Sequence, residues 1–365
     1  MDRAKPSALR TPAAQIPVAP RRARNGGSGW WRGLFDTPAN AVITAACLLL
    51  LGIAIPPVLR WTVLDAVWSG TSETCRSASG ACWAFIGEKF RFILFGFYPR
   101  QQHWKPALTL VLLFGMIGVT AVPRFWHPRL VVLWVVAIIA AVLLMAGAPH
   151  PGTVATDVWA GLPLTLLLAV IGIGAAFPLA LLLALGRRSR MGGVRWMSIL
   201  VIEVMRGVPL IAVLYAAILL LPLMLPAGVT LDKLLRAQLA LAGFIAAYMA
   251  EVIRAGLQGV GDGQYEAAKS LGLSYGTMLR LVILPQALRI VIPSFVTLAI
   301  GVLQSTTLVI VIGAFDFLNT ARVAASDPNW LGFFDEAFFF TGAVYFLLSF
   351  LASRYSLWLE RRLRR

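Results

Sequence analysis

Eight stretches of this 365-residue chain run without a single Asp, Glu, Lys or Arg: 37–59, 106–123, 130–156, 158–186, 207–231, 237–250, 290–315 and 337–353. A bilayer core about 30 Å thick takes about 20 apolar residues of helix to cross. The runs are continuously apolar, which does not fit the in-out alternation of a membrane barrel. Helices are the other structure that satisfies every backbone group inside lipid. The chain therefore reads as an all-α polytopic membrane protein with about eight transmembrane helices. Composition agrees: hydrophobic residues make up 59% and charged residues 13%, about half the charged share of a soluble domain. A soluble enzyme, a secreted disulfide scaffold and a disordered protein are excluded on that ground.

Two windows carry charge at their edges. Residues 237–250 are too few to span, so the helix continues through Glu251 to about Ile253 and puts a carboxylate in or near the membrane. The fifth span starts either at 207 or upstream, near 196; in the second case Glu203 and Arg206 also lie within the inner leaflet. The formal charge of +16 comes with no nucleic-acid recognition motif. In a polytopic membrane protein cations gather in cytoplasmic loops instead. With the N-terminus inside, cytoplasmic segments hold 22 Lys and Arg and outer segments 9, which places both termini in the cytoplasm. No signal peptide is read, because the first apolar run follows a long polar stretch with no cleavage site.

The organisation follows. Residues 1–36 are rich in Pro, Ala and Arg and read as a disordered cytoplasmic tail, with Trp30 and Trp31 where an interfacial belt begins. Residues 37–157 hold three spans and a long outer loop, 60–105, expected to lie partly along the membrane surface. Cys75 and Cys82 share that loop. In an oxidising compartment they can pair; left reduced they are packing residues. Cys47 lies in the first span as a small apolar filler. Residues 158–358 hold five spans with a cytoplasmic loop, 258–285, and 359–365 form a basic tail. In that loop Gly259, Gly261 and Gly263 make a flexible lead-in. Gln264 to Leu271 then reads as a short exposed helix stopped by Gly272, and 274–284 as a second segment ending before Pro285.

The loop resembles the EAA signature of importer-type ABC permeases. Glu266, Ala267, Ala268, Gly272, Leu284 and Pro285 fall at its spacings, with Val282 in place of the usual Ile. Arg206-Gly207-Val208-Pro209-Leu210 is similar to the R-G-x-P-L element of polar amino-acid permeases of the histidine-permease type. Ala247-Tyr248-Met249-Ala250-Glu251-Val252-Ile253-Arg254 is similar to their A-Y-x-x-E-x-x-R element, and Leu284-Pro285-Gln286-Ala287-Leu288-Arg289 extends the match. Asp65–Gly70 and Gly80–Phe85 look like the M-type permease subunit of the general L-amino acid transport system. One departure stands out: where the family often has Lys-Asp-Thr-Ser, this chain has Gln304-Ser305-Thr306-Thr307.

The resemblance implies a type I importer permease core in 158–358 that moves L-amino acids by alternating access across a bacterial inner membrane. It implies as partners a second homologous permease, a dimer of ABC ATPases and a periplasmic amino-acid-binding protein. Coupling to the ATPase is expected through Glu266, Ala267, Ala268, Leu271, Gly272 and Pro285. Glu203, Arg206, Glu251 and Gln304 are candidates for the substrate path, since an Arg–Glu pair suits a zwitterion; the alternative for the charges is a salt bridge that locks the spans. The chain has no G-x-x-x-x-G-K-[ST] loop, so no cofactor is expected in it and ATP belongs to the partner. His103, His127 and His150 are scattered, so no metal site is expected. Catalysis is not expected either. The competing readings are an ABC permease for another polar solute and a secondary transporter.

Overall fold

The computed structural model describes residues 30–147, 153–226 and 228–363. It divides into two compact units after Thr62. Residues 1–29 of the expected tail lie outside the described residues. Trp30–Phe35 form a helix, α1, so regular structure starts earlier than expected. The first span is α2, Pro38–Leu59. Thr37 caps it: its hydroxyl accepts from the Asn40 N–H at 3.2 Å, and Pro38 occupies the first turn, where no N–H is needed.

In the second unit the outer loop supplies α3 (Ser72–Ser77) and α4 (Trp83–Phe95). Spans α5 (Trp104–Ala121) and α6 (Arg129–Ala146) follow. Gly147 ends α6, ten residues short of the charge-free window. Next come α7 (Gly161–Arg187), α8 (Gly192–Gly207), α9 (Leu210–Leu219) and the single turn α10 (Leu221–Met224). The long α11 (Lys233–Gly259) leads into two short helices, α12 (Asp262–Ser270) and α13 (Tyr275–Met278). Span α14 (Leu284–Ser305), a 3-10 continuation to Ile312, the short α15 (Phe317–Ala324) and α16 (Phe334–Leu363) complete the fold. Among the described residues, seven helices are long and apolar enough to cross a membrane, or eight with the bent pair α8–α9 as one span.

Three differences from the windows have local causes. The fifth span is not a straight helix over 207–231: α8 and α9 meet at 105°. Pro209 lacks an N–H and forces Val208 out of the helical region, so the helix stops and restarts. Pro285 does not end a segment. A π-type turn, Leu279–Ile283, widens the chain ahead of it, and Pro285 then sits in the first turn of α14, where its missing N–H costs nothing. The basic tail is helical to Leu363, with Arg361 and Arg362 in the last turn, where cations suit the carbonyl end.

The outer loop is a packed cap, not only a membrane-surface segment. Phe85 and Ile93 of α4 are fully buried, and Phe85 stacks on Phe333 and packs at a tilt against Trp330, at 5.8 Å each. Thr320 Oγ1 donates to the Ile93 carbonyl at 2.7 Å. Cys75 and Cys82 are disulfide-bonded, and the Cys82 N–H donates to the buried Glu336 carboxylate at 3.0 Å. Gly161, at φ +72°, starts α7 against the Leu94 carbonyl; any side chain there would collide with that backbone. The cap thus joins the outer ends of α7, α15 and α16, with Phe339 against Trp83 and Phe340 against Phe90.

Phe85→Ala should cost about 3–5 kcal/mol, read as a lower unfolding midpoint in detergent. Lys89 Nζ lies 2.8 Å from Asp327 and, with the Asn329 N–H, holds the Asp327 carboxyl below the ordinary carboxylate range. A depressed folded-state value adds stability above that range and loses it as pH falls through the folded value. Asp327→Asn should therefore remove part of the stability lost on acidification below about pH 4, a difference visible in paired pH titrations of unfolding.

Candidate functional site

Two groups of residues stand at the end of the bundle that the charge count places inside. The first is the α11–α14 connection. Gly261 caps α12, so the expected flexible glycine lead-in is instead ordered: Gly259 ends α11 and Gly263 lies within α12. At the other end the Gly272 N–H donates to the Lys269 carbonyl at 2.9 Å and the Leu273 N–H to the Ala268 carbonyl at 3.2 Å. This paired closure, with Gly272 at φ +71°, is a Schellman stop. A Cβ on Gly272 would meet open space, so what the position demands is the left-handed backbone. Ala268 is buried against the bundle, while Glu266, Ala267 and Leu271 are exposed, Leu271 by 78%.

α12 is tied to three spans. The Tyr265 hydroxyl donates to the Leu257 carbonyl of α11 at 3.0 Å and accepts from Arg188, at the end of α7, at 3.2 Å. Gln286 of α14 donates to Gln264 at 3.1 Å. Pro285 lies in the adjoining first turn of α14, which places it at the root of the α12 hairpin and off its exposed face.

The second group is a charge cluster among α7, α8 and α11. Glu251 is at its centre, with only 16% of its side chain exposed. Arg254, one turn on, donates Nε to Glu251 Oε2 at 2.9 Å. Arg187 Nη1 lies 2.9 Å from Oε1, a charge contact whose angle falls short of a hydrogen bond, so Oε1 has no donor in line. Arg187 also donates to Glu203 at 2.8 Å. Arg206 is held least: it sits 4.0 Å from Glu251, over the Tyr248 ring at 5.5 Å, beside the Pro209 break. The Tyr248 hydroxyl donates to the Arg206 carbonyl at 3.4 Å, one of the acceptors that the break leaves open.

The structure thus brings Glu203, Arg206 and Glu251 together, and adds Arg187 and Arg254, which were not among the substrate-path candidates. Two signals pointed to them: Arg254 is i+3 from Glu251 on a helix, and Arg187 directly follows a charge-free window. Glu203 pairs with Arg187 and not with Arg206, its i+3 neighbour. Gln304 is elsewhere. It lies at the far end of α14, twenty residues and about 30 Å of helix from Leu284, and donates to Ser349 Oγ of α16 at 3.4 Å. On α14 it continues an exposed row of Ser294, Thr297 and Gly301. Cys75 and Cys82 belong to the outer cap. Among the described residues no group of three or more His, Cys, Asp or Glu could hold a metal ion.

Comparison with known proteins adds to this geometry. The family described as binding-protein-dependent transport system inner membrane component matches residues 176–365. The inner membrane amino-acid ABC transporter permease protein YhdY of Escherichia coli K12 is 42% identical over 338 residues, 91% of each chain. The glutamate/glutamine/aspartate/asparagine transport system permease protein BztC of Rhodobacter capsulatus is 36% identical, over 95% of this chain and 97% of its own. A solved amino acid ABC transporter with histidines is 32% identical over 55% of this chain and 92% of its own, with a TM-score of 0.49.

Replacing Glu251 by Gln leaves three guanidinium groups facing one carboxylate, Glu203, which reaches only Arg187. Glu251 is the least exposed member of a partly exposed ion cluster, and removing it should cost about 1–3 kcal/mol. Thermal unfolding of the purified variant in detergent should show that loss, and a change under about 0.5 kcal/mol would mean the charges are separately solvated.

Proposed function

Because the chain belongs to the binding-protein-dependent transport system inner membrane component family, we propose that it is the permease subunit of an ATP-driven importer of L-amino acids. The observation that carries the reading is α12: a short, stiffly capped helix that exposes Glu266, Ala267 and Leu271 while its root is fastened to α7, α11 and α14. Such a helix suits docking into an ATPase that supplies the ATP site this chain lacks. Amino acids as substrate rest on the names of YhdY and BztC together with the charge cluster.

In this reading the chain spans a bacterial inner membrane and pairs with a second, related permease. A periplasmic binding protein delivers substrate to the outer side. The exposed polar row of α14, Ser294 to Gln304, lines the passage, because polar groups inside lipid face a partner or water. Lower down, the weakly held Arg206 guanidinium meets the substrate carboxylate, and Glu251 Oε1, which lacks an in-line donor, meets its ammonium. The two-state element is the permease pair, open inward or outward, and the Pro209 break lets α8 and α9 move separately. Docking is through Glu266, Ala267 and Leu271; Gly272 and Pro285 fix the angle of the helix.

The test separates backbone from bulk at position 272. Gly272→Val puts a β-branched residue at φ +71° and should abolish ATP-dependent uptake in vesicles holding the permease pair, ATPase and binding protein. Gly272→Asn, which tolerates the left-handed region, should keep most of it. Both variants should remain in the membrane. Full uptake by the Val variant would remove α12 from the coupling route.

A further inference from the structure

Tyr265 is the residue through which α12 is fastened to α7 and α11. Its hydroxyl makes two hydrogen bonds to two different spans, donating to Leu257 O at 3.0 Å and accepting from Arg188 at 3.2 Å. The Arg188 guanidinium also lies 5.8 Å from the centre of the tyrosine ring. Each anchor adjoins one arm of the charge cluster. Arg188 directly follows Arg187, which contacts Glu203 and Glu251 at 2.8 and 2.9 Å. Leu257 lies one turn beyond Arg254, whose side chain holds Glu251 on one side and Gln258 on the other. The same helix ends therefore carry both contacts.

The two anchors differ in stiffness. Leu257 is buried in the last turn of α11, where its carbonyl has no helical N–H to accept from and takes the Tyr265 hydroxyl instead. Arg188 is the residue just past the end of α7, with a long side chain and only the terminal carbonyls of that helix to hold its N–H. A movement of α12 that turns about the Tyr265–Leu257 bond displaces Arg188 and, with it, the neighbouring Arg187. The 2.9 Å Arg187–Glu251 contact has no hydrogen bond to fix its direction, so a displacement of Arg187 shifts its charge between Glu251 and its hydrogen-bonded partner Glu203. We propose that Tyr265 is a positioning residue that relays the movement of α12 to the Glu251 cluster through the Arg188–Arg187 end of α7. This rests on the importer reading above and names the residue that joins its two halves.

The experiment uses the complete complex in vesicles, with ATP hydrolysis and amino-acid uptake measured together. Tyr265→Phe keeps the ring and removes both hydroxyl bonds. It should leave the ATPase bound and hydrolysing while uptake falls, so that ATP spent per substrate rises about fivefold. Arg188→Gln should have the same effect, and the double variant should be no worse than either single one, since both cut one path. A ratio within about twofold of the unsubstituted complex, or additive effects of the two changes, overturns the relay. Loss of the ATPase from the Tyr265→Phe complex overturns it too, by making Tyr265 part of the docking surface. Uptake without ATP in the unsubstituted complex overturns the importer reading itself, and the relay with it.

Discussion

Lipid supplies no hydrogen bonds, and the fold follows from that constraint. Every backbone group in the membrane must find its partner within the chain, so the stretches that span it become helices. The same constraint gives weight to each place where the helical pattern breaks. Pro209 opens the span between α8 and α9 at 105° and leaves the carbonyl of Arg206 to be met by Tyr248. A π-type turn absorbs the approach to Pro285. Gly272 closes α12 with a left-handed residue. All three irregularities lie within the segments that carry charge or stand off the bundle. Other spans change helix type only at their ends: a π-type turn, Arg60–Leu64, follows α2 and a 3-10 stretch follows α14.

Charge is the second term of the same constraint. A lone ionised group costs several kcal/mol in a low-dielectric setting, about 2.5–3.5 by insertion estimates at mid-span. The chain meets that cost by clustering: Glu251 and Glu203 share Arg187, Arg254 and Arg206 among three helices. Under the proposed function the cluster is more than a lock between spans. It holds one more cation than anion, its Arg206 is only loosely engaged, and one carboxylate oxygen has no donor in line. A site with spare donor and acceptor capacity is suited to a zwitterion. A fully satisfied salt bridge would not be.

Much of this was legible in the residues. Charge-free windows locate the spans because exclusion of charge is a local property. The α12 hairpin is legible because its stop depends on one residue, Gly272, at a fixed distance from Glu266. Contacts between distant segments were not legible. Arg187 looks like a cation that merely follows a span until α7 and α11 are seen to end side by side. The loop 60–105 looks like a surface segment because its partners, Glu336, Thr320 and Asp327, lie more than two hundred residues away. The break at Pro209 was visible as a residue but not as a 105° turn, since an apolar average runs straight through it.

The central claim is that this chain moves amino acids only when an external ATPase acts on α12. The direct measurement is uptake of labelled L-amino acids into vesicles that contain the permease pair and binding protein, with and without the ATPase and ATP. The account predicts uptake only when both are present, at a rate that follows hydrolysis. Uptake that persists without the ATPase, driven by an ion gradient alone, would contradict it.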